Sequence, residues 1–411
     1  MLKFFEQKFN QHQSQITAWL NQKRAEVKNP VYCSVDLRNS GFKISVIDAN
    51  LFPGGWNNLC RKYEEKGALN FKNYLQKYYP GTKKILIFPE AHTKNIYYFQ
   101  NLKDLKNLIQ NAGLEIVIGH NNEGLKDVAV FETAKKEEVI LYRVQKDGNL
   151  IKTVENFVPD LILANNDFSN GLPVILENIK QPIVPNPNLG WFKRDKINNI
   201  KIYQSLIEEF ALMLDLDPWF FYPISQEVKN VNFQTKKGFE EIFETMNKIF
   251  IQLEKKYDEY KLQAKPYIFI KNSTGTYGMG VKNFESVEDF LNINRKDRNT
   301  LSVGKGSQKI ENVIIQEGLP TTDRLKSYVA EPVIYLINSQ AVGGFFRLNS
   351  QKSDRENLNS KGMHFSKLCF HEMQTYQNTY CEGCDIESLQ KIYAILAEIA
   401  SIAGGVEERD S

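Results

Sequence analysis

The chain has 411 residues, 42% hydrophobic and 25% charged, which fits a packed globular protein of two or three domains at about 150 residues each. Lysine and arginine exceed aspartate and glutamate by only three, 52 against 49, and no basic block stands out, so nucleic acid is not an expected partner. No apolar run approaches the roughly 18 residues of a membrane span, and the opening MLKFFEQKFN is too polar for a signal peptide. A cytoplasmic protein with no membrane partner is expected, and the composition leaves a homo-oligomer open.

Residues 1–28 carry Phe5, Phe9, Ile16, Trp19 and Leu20 on one side, which predicts an amphipathic helix closed by Pro30. Val31–Val35 suits a strand, Asp36 to Gly41 a polar loop, and the alternation Phe42, Ile44, Val46 a second strand. Asp48, Asn50, Asn57 and Asn58 then surround a Pro53-Gly54-Gly55 turn. Asp36, Arg38 and Asn50 could grip both ends of an amino acid, or these residues could simply make turns. Residues 84–119 predict a β-α-β unit: KILIFP, a helix through Leu102, Leu105, Leu108 and Ile109, Gly113 as terminator, and EIVIG.

Val139–Val144 reads as another strand, and Leu161–Ala164 as a buried one. The latter runs into Asn165, Asn166, Asp167, Phe168 and Ser169. Ligands of open α/β sheets gather at such strand ends, so Asn165, Asn166 and Ser169 are candidates for substrate contact, with turn formation the alternative. QPIVPNPNL, 181–189, reads as a linker. Helices are predicted over about 197–214 and 238–256, their apolar stripes being core.

Tyr267–Ile270 predicts a buried strand. Lys271 follows at once, then Ser273, Gly275, Gly278 and Gly280, then a second strand from Val281. Glycines let backbone N–H groups turn toward an anion and lysine adds a point charge, so this is a candidate phosphate cradle. It is not a Walker loop, because the lysine precedes the glycines. An ordinary glycine-rich hairpin is the competing reading.

Asp297–Gly306 reads as a polar loop. Val313–Ile315 is a strand ending in Gln316-Glu317-Gly318-Leu319. Tyr328–Ile337 and Ala341–Leu348 form a pair with Glu331 and Arg347 in mid-strand. A buried unpaired charge is costly, so each is either wet or serving a ligand. A last helix is predicted over about 385–403, ended by Gly404-Gly405, with a loose tail. Five cysteines, an odd number, argue for reduced thiols. Cys369, His371, Cys381 and Cys384 could hold zinc, but the first pair is tightly spaced for common zinc modules.

From about residue 190 onward the chain resembles an ATP-grasp domain. The strings NPVYCSVDLRNSGFKISVIDANLFPGGWNNL, ANNDFSNG, DPWFF, KNSTGTYGMG, QEG, VAEPVIY, VGGFFR and ENLNSKGMHF are similar to the ATP-grasp-type glutamate–cysteine ligases of certain proteobacteria. That resemblance implies an α/β protein. An N-terminal Rossmann-like (pre-ATP-grasp) domain over 1–189 would precede a two-lobed ATP-grasp domain over 190–411. Its lid lobe would span about 218–318 and its C-terminal lobe about 319–405.

The resemblance also implies ATP and Mg2+, glutamate and cysteine as small-molecule substrates, and γ-glutamylcysteine as product. By position, Lys196 and Lys271 would be the two nucleotide lysines. Ser273, Gly275, Gly278 and Gly280 would form the lid over the phosphates. The backbone of Gln316, Glu317 and Leu319 would hold adenine, Glu331 the ribose, and Arg347 the phosphate and acyl group. The family's late acidic-x-Asn metal pair has no clear match after residue 365, which leaves Glu356, Asn357 and Asn359 as the nearest candidates. Another carboxylate–amine ligase, such as a glutathione synthetase-like enzyme, or a nucleotide-binding protein without catalysis, are the alternative readings.

Overall fold

A computed structural model of the chain describes residues 1–273, 280–302, 310–325, 327–368 and 386–410. The stretch expected as one N-terminal helix is two. α1 (Leu2–Gln11) and α2 (Gln13–Glu26) meet at His12, whose backbone leaves the helical region (φ −103°, ψ 15°). That break lets Phe5 and Phe9 of α1 and Ile16, Trp19 and Leu20 of α2 enter the same core. β1 (Tyr32–Asn39) and β2 (Ile44–Asn50) follow as an antiparallel pair. The polar run from Asp36, expected as a loop, is therefore the second half of a strand. Strand structure survives there because each buried polar group finds a partner: Asn39, for one, donates to Asp323 Oδ1 at 3.1 Å.

α3 (Tyr63–Tyr78), β3 (Lys84–Pro89), α4 (Ile96–Asn111) and β4 (Glu115–His120) contain the expected β-α-β unit. Asn95 caps α4 by accepting from the Tyr97 and Tyr98 N–H groups. β5 (Val128–Glu132), β6 (Glu138–Asp147), β7 (Leu150–Thr153), β8 (Leu161–Asn165) and β9 (Ile183–Val184) complete a sheet ordered β5-β6-β4-β3-β8-β9, with β7 beside β6. Its centre is parallel. Parallel strands are covered on both faces, which is why KILIFP and LILA read as unbroken apolar runs. β9 lies inside the stretch expected as a linker.

α5 (Lys196–Met213) leads into a second layer pair: β10 (Ser225–Val228), α6 (Phe239–Glu259), β11 (Ile268–Asn272), β12 (Val281–Phe284), α7 (Val287–Leu291), α8 (Arg295–Ser302) and β13 (Val313–Glu317). Four of these strands form an antiparallel sheet, β10-β13-β11-β12. Ile242, Met246, Ile249 and Leu253 of α6 pack into its core. α8 occupies the first half of the segment expected as a loop, anchored by buried Leu301.

β14 (Arg324–Leu325), β15 (Tyr328–Ile337), β16 (Gln340–Asn349) and β17 (Met363–Leu368) finish the third sheet, ordered β17-β16-β15-β1-β2 with β14 beside β15. β1 pairs with β15, placing Asp36 opposite Val333. The sheet is thus built from both ends of the chain, and a boundary at 189 cuts through it. β1 is buried along almost its whole length and needs a strand on each side.

α9 (Ile386–Asp410) continues straight through Gly404 and Gly405. Those glycines serve close approach rather than termination. A Cβ on Gly404 would lie 2.8 Å from Leu51, and one on Gly405 would lie 2.7 Å from the Lys28 carbonyl oxygen. Leu389–Asp410 is long and apolar enough to cross a membrane by length and composition, but it is mostly buried inside the protein, packed against α5 and the third sheet. The tail is docked too: Glu407 forms a buried ion pair with Arg194 at 2.9 Å.

Candidate active site

A cleft opens between the four-stranded sheet and the β1–β2–β15–β16 sheet. It is lined by Asp36, Arg38, Ile47, Asp48, Lys196, Phe269, Lys271, Val281, Gln316, Glu317, Leu319, Glu331, Arg347, Asn357 and Asn359. Strand register explains its floor. Glu331 on β15 lies opposite Arg347 on β16, while β1 flanks β15 on the other side. Arg347 Nη1 donates to Glu331 Oε1 at 2.6 Å and to Asp36 Oδ2 at 2.8 Å. Arg38 Nε donates to Glu331 Oε2 at 3.0 Å, and its Nη groups reach the Leu319 and Glu356 carbonyls at 2.8 and 2.5 Å.

Two carboxylates and two guanidiniums therefore alternate across three strands, and that alternation is what lets mid-strand charges stay buried. Burial disfavours the Glu331 carboxylate, but Arg38 and Arg347 outweigh it and hold its pKa below the usual range. Burial likewise opposes the Arg347 charge, and Asp36 and Glu331 overcome it, so this guanidinium is firmly charged. For Asp36 burial prevails over Arg347 and its pKa is raised. Arg347 Nε is buried and has no partner among the described residues, so it keeps one donor for something else.

The opposite wall is lysine-rich. Lys196 opens α5 directly after the cap Asp195, whose carboxylate accepts from the Ile197 N–H. A cation in a first helical turn works against the helix dipole, so its placement needs a reason other than helix stability. Lys196 Nζ donates to Asp48 Oδ2 at 3.1 Å. Lys271, on β11, donates to the Ile47 carbonyl at 3.1 Å. Burial, with Lys196 nearby, lowers the Lys271 pKa to about 8 against the pull of Asp48 and Asp36. Gly280, at φ +67°, closes the hairpin frame by accepting from the Asn272 N–H at 3.3 Å. Gly275 and Gly278 lie outside the described residues, as do Cys369, His371, Cys381 and Cys384. Ser273 Oγ is buried without a partner among the described residues.

The expected adenine hinge is more occupied than its sequence suggests. Glu317 N–H donates to the Ile224 carbonyl and Gly318 N–H to the Tyr267 carbonyl, both at 2.7 Å. The Glu317 carboxylate turns to Lys43, 2.7 Å away in a fully buried pair, and also accepts from Trp219 Nε1. Lys43 sits 4.2 Å over the Trp219 ring.

Seven described candidates lie outside the cleft lining: Ser273, Gly280 and Glu356, and the substrate candidates Asn50, Asn165, Asn166 and Ser169. Asn50 Oδ1 accepts from the Phe52 N–H. Asn165 bridges Asn101 and the Pro53 carbonyl. Asn166 and Ser169 satisfy the turn after β8, through Phe168 N–H and Asp167. These are turn and packing roles for small polar residues. Conversely, Asp48 lines the cleft although only its position in a polar cluster marked it beforehand. Parity pointed the other way: Ile44 and Val46 face the core, and only the register shift at Ile47 brings Asp48 onto the cleft face opposite Asp36.

For a magnesium ion the donor set fits poorly. Asn357 and Asn359 line the cleft, but the Glu356 carboxylate faces Lys352 and the Ser353 N–H. Asp36, Asp48 and Glu331 are each held by an arginine or lysine. No group of three His, Cys, Asp or Glu residues suited to a metal occurs among the described residues. Mg2+ usually takes one or two carboxylates plus substrate phosphates, so no step is assigned to it here.

A family model, GshA, described as glutamate-cysteine ligase, matches residues 6–408. The chain belongs to the glutamate–cysteine ligase family. It is an ATP-dependent ligase that joins glutamate and cysteine into γ-glutamylcysteine. A crystal structure of a provisionally assigned gamma-glutamylcysteine synthetase from Methylobacillus flagellatus KT is 34% identical. It covers 99% of this chain and 96% of its own, with a TM-score of 0.89. Two further solved structures match at 10% identity and a TM-score of 0.39. One is a glutathione synthetase-like effector from Globodera pallida, with 89% of this chain and 79% of that one covered. The other is the D-alanyl-alanine synthetase A of Vibrio cholerae, with 78% and 81% covered. Among curated proteins there is no match.

Proposed function

We propose that the cleft is the ATP-grasp site of this ligase and that glutamate is activated there as an acyl phosphate. The antiparallel sheet β10-β13-β11-β12 and the sheet containing β15 and β16 would be the two lobes. The observation carrying this is the convergence of Lys196, Lys271 and Arg347, three cations from three elements, on one cleft.

In this reading Lys196 and Lys271 bind the ATP phosphates. The γ-carboxylate of glutamate attacks the γ-phosphorus, forming a C–O–P linkage as ADP leaves. Arg347, charged and holding a spare Nε donor, offsets the negative charge on the transferring group. The amine of cysteine then attacks the acyl carbon, inorganic phosphate departs, the amide forms, and the amine proton passes to solvent or phosphate. Asp36, beside Arg347 and partly open to the cleft, is suited to the substrate ammonium. No protein nucleophile is needed, and positioning supplies most of the rate.

Phosphate release with ATP, magnesium, glutamate and cysteine should exceed that with other amino-acid pairs, and mass analysis should find γ-glutamylcysteine. Equal release with pairs lacking glutamate would refute the assignment.

A further inference from the structure

The pairing of β1 with β2 is irregular where it borders the cleft. Asp36 pairs with Asp48 and Leu37 with Val46, so Ile47 is skipped. Bulges of this kind re-aim groups at a strand edge and recur beside active sites. Here the skipped residue presents its carbonyl to Lys271, 3.1 Å away, while the next residue presents its carboxylate to Lys196, also 3.1 Å away. A backbone bond supports the same arrangement: the Lys196 N–H donates to the Ser273 carbonyl at 3.0 Å, tying the start of α5 to the end of β11. The irregular pair also sets two aspartates opposite each other, which is destabilising without cations close by.

We propose that Asp48 is a positioning residue for ATP binding: with the Ile47 carbonyl it seats Lys196 and Lys271 side by side, ready for phosphate. The inference rests on the reading of those lysines as phosphate ligands. The charged groups facing Lys271 are Lys196 from α5, Asp48 from β2 and Asp36 from β1. Lys196 disfavours the Lys271 charge and the two aspartates favour it. Burial lowers the Lys271 pKa to about 8 with both aspartates in place. Asp48 is one of the charges that favour the protonated lysine, so neutralising it should move Lys271 down, by about one unit on the usual scale for a nearby opposite charge. Asp48 itself is held below the ordinary carboxylate range, burial being outweighed by Lys196 and Lys271.

The test is equilibrium binding of ATP to the full chain by calorimetry, repeated between pH 7 and 10. Wild type should lose affinity with a midpoint near 8. Asp48→Asn should move that midpoint down by about one pH unit, and Asp48→Glu should restore it. Lys196→Met removes the like charge instead, so its midpoint should rise although affinity is weaker throughout. That variant reads the coupling of the two lysines; should Asp48→Asn fold poorly, Asp48→Ser is the second variant, with the same fall in midpoint expected. An unchanged midpoint in Asp48→Asn, with Lys271→Ala abolishing the alkaline loss, would overturn the positioning role and leave the lysines as phosphate ligands. An alkaline loss that persists at full affinity in Lys271→Ala would overturn the phosphate reading itself, and this inference with it.

Discussion

Replacing Glu407 by alanine should destabilise the fold far more than a change four residues from the chain end ordinarily would. Glu407 lies in α9, beyond the glycine pair, and accepts Arg194 Nε and Nη2, both at 2.9 Å, and Asn199 Nδ2 at 3.0 Å. Arg194 is 4% exposed, and its remaining bond goes to the Ala49 carbonyl at 2.8 Å. Removing the carboxylate strands a buried guanidinium, which costs about 3–5 kcal/mol, and leaves the Asn199 amide without that acceptor. Urea unfolding followed by tryptophan fluorescence reads this directly, because Trp191 lies 5.0 Å from Arg194. With a slope of about 3 kcal/mol per molar, the midpoint should fall by roughly 1 M. The double variant Arg194→Met, Glu407→Leu should recover most of the loss, since the cost lies in the unpaired charge. A Glu407→Ala midpoint within about 0.2 M of wild type would refute the docking of the last helical turns.

Lys271→Ala should lower turnover by about 10²–10³-fold, the scale for one preorganised electrostatic donor, while the urea midpoint stays at or above the wild-type value. The Asp323 carboxylate is buried against Asn39 and Tyr393, and burial, outweighing those hydrogen bonds and the Arg324 charge, raises its pKa to about 7. The folded state therefore binds more protons than the unfolded chain between about pH 4 and 7, so this group's contribution falls as pH rises through that window and on to 8. Between pH 6 and 8 the loss is about 1.4 kcal/mol. Asp323→Asn should remove that part of the pH dependence, and identical slopes in variant and wild type would sink the assignment. Gly318→Ala places a Cβ 2.3 Å from the Tyr267 ring, so the strand end must shift. It should cost about 1–3 kcal/mol and raise the KM for ATP, whereas unchanged values for both would show the contact to be slack.

Local elements were legible from short apolar runs and helical stripes. The parallel strands KILIFP and LILA and the stripes of α5 and α6 announce themselves within a dozen residues. The partnership of β1 with β15 did not, because nothing near residue 35 names a strand 300 residues away. Asp36 and Arg38 read as loop for the same reason. Their strand conformation depends on Glu331 and Arg347, which local propensity does not see. Glu331 and Arg347 were the more informative charges, since a charge inside an apolar strand demands an explanation wherever it pairs. Gly404-Gly405 misled in the opposite direction. Glycine at a helix end terminates it, but glycine against Leu51 and Lys28 permits packing, and only the neighbours distinguish the two.

The third sheet connects these points to chemistry. One of its inner strands, β1, comes from near the start of the chain, while β15 and β16 come from near its end, and the four alternating charges span all three. The floor of the cleft therefore cannot assemble until both ends have met. The Arg194–Glu407 pair reinforces that closure, since Arg194 also holds the Ala49 carbonyl, one residue beyond the carboxylate that meets Lys196. A lesion at the C-terminal helix should thus be felt first as weakened ATP binding, at urea concentrations below the main unfolding transition. If Glu407→Ala lost stability with the affinity for ATP untouched, the two ends would be joined structurally but not coupled through β2.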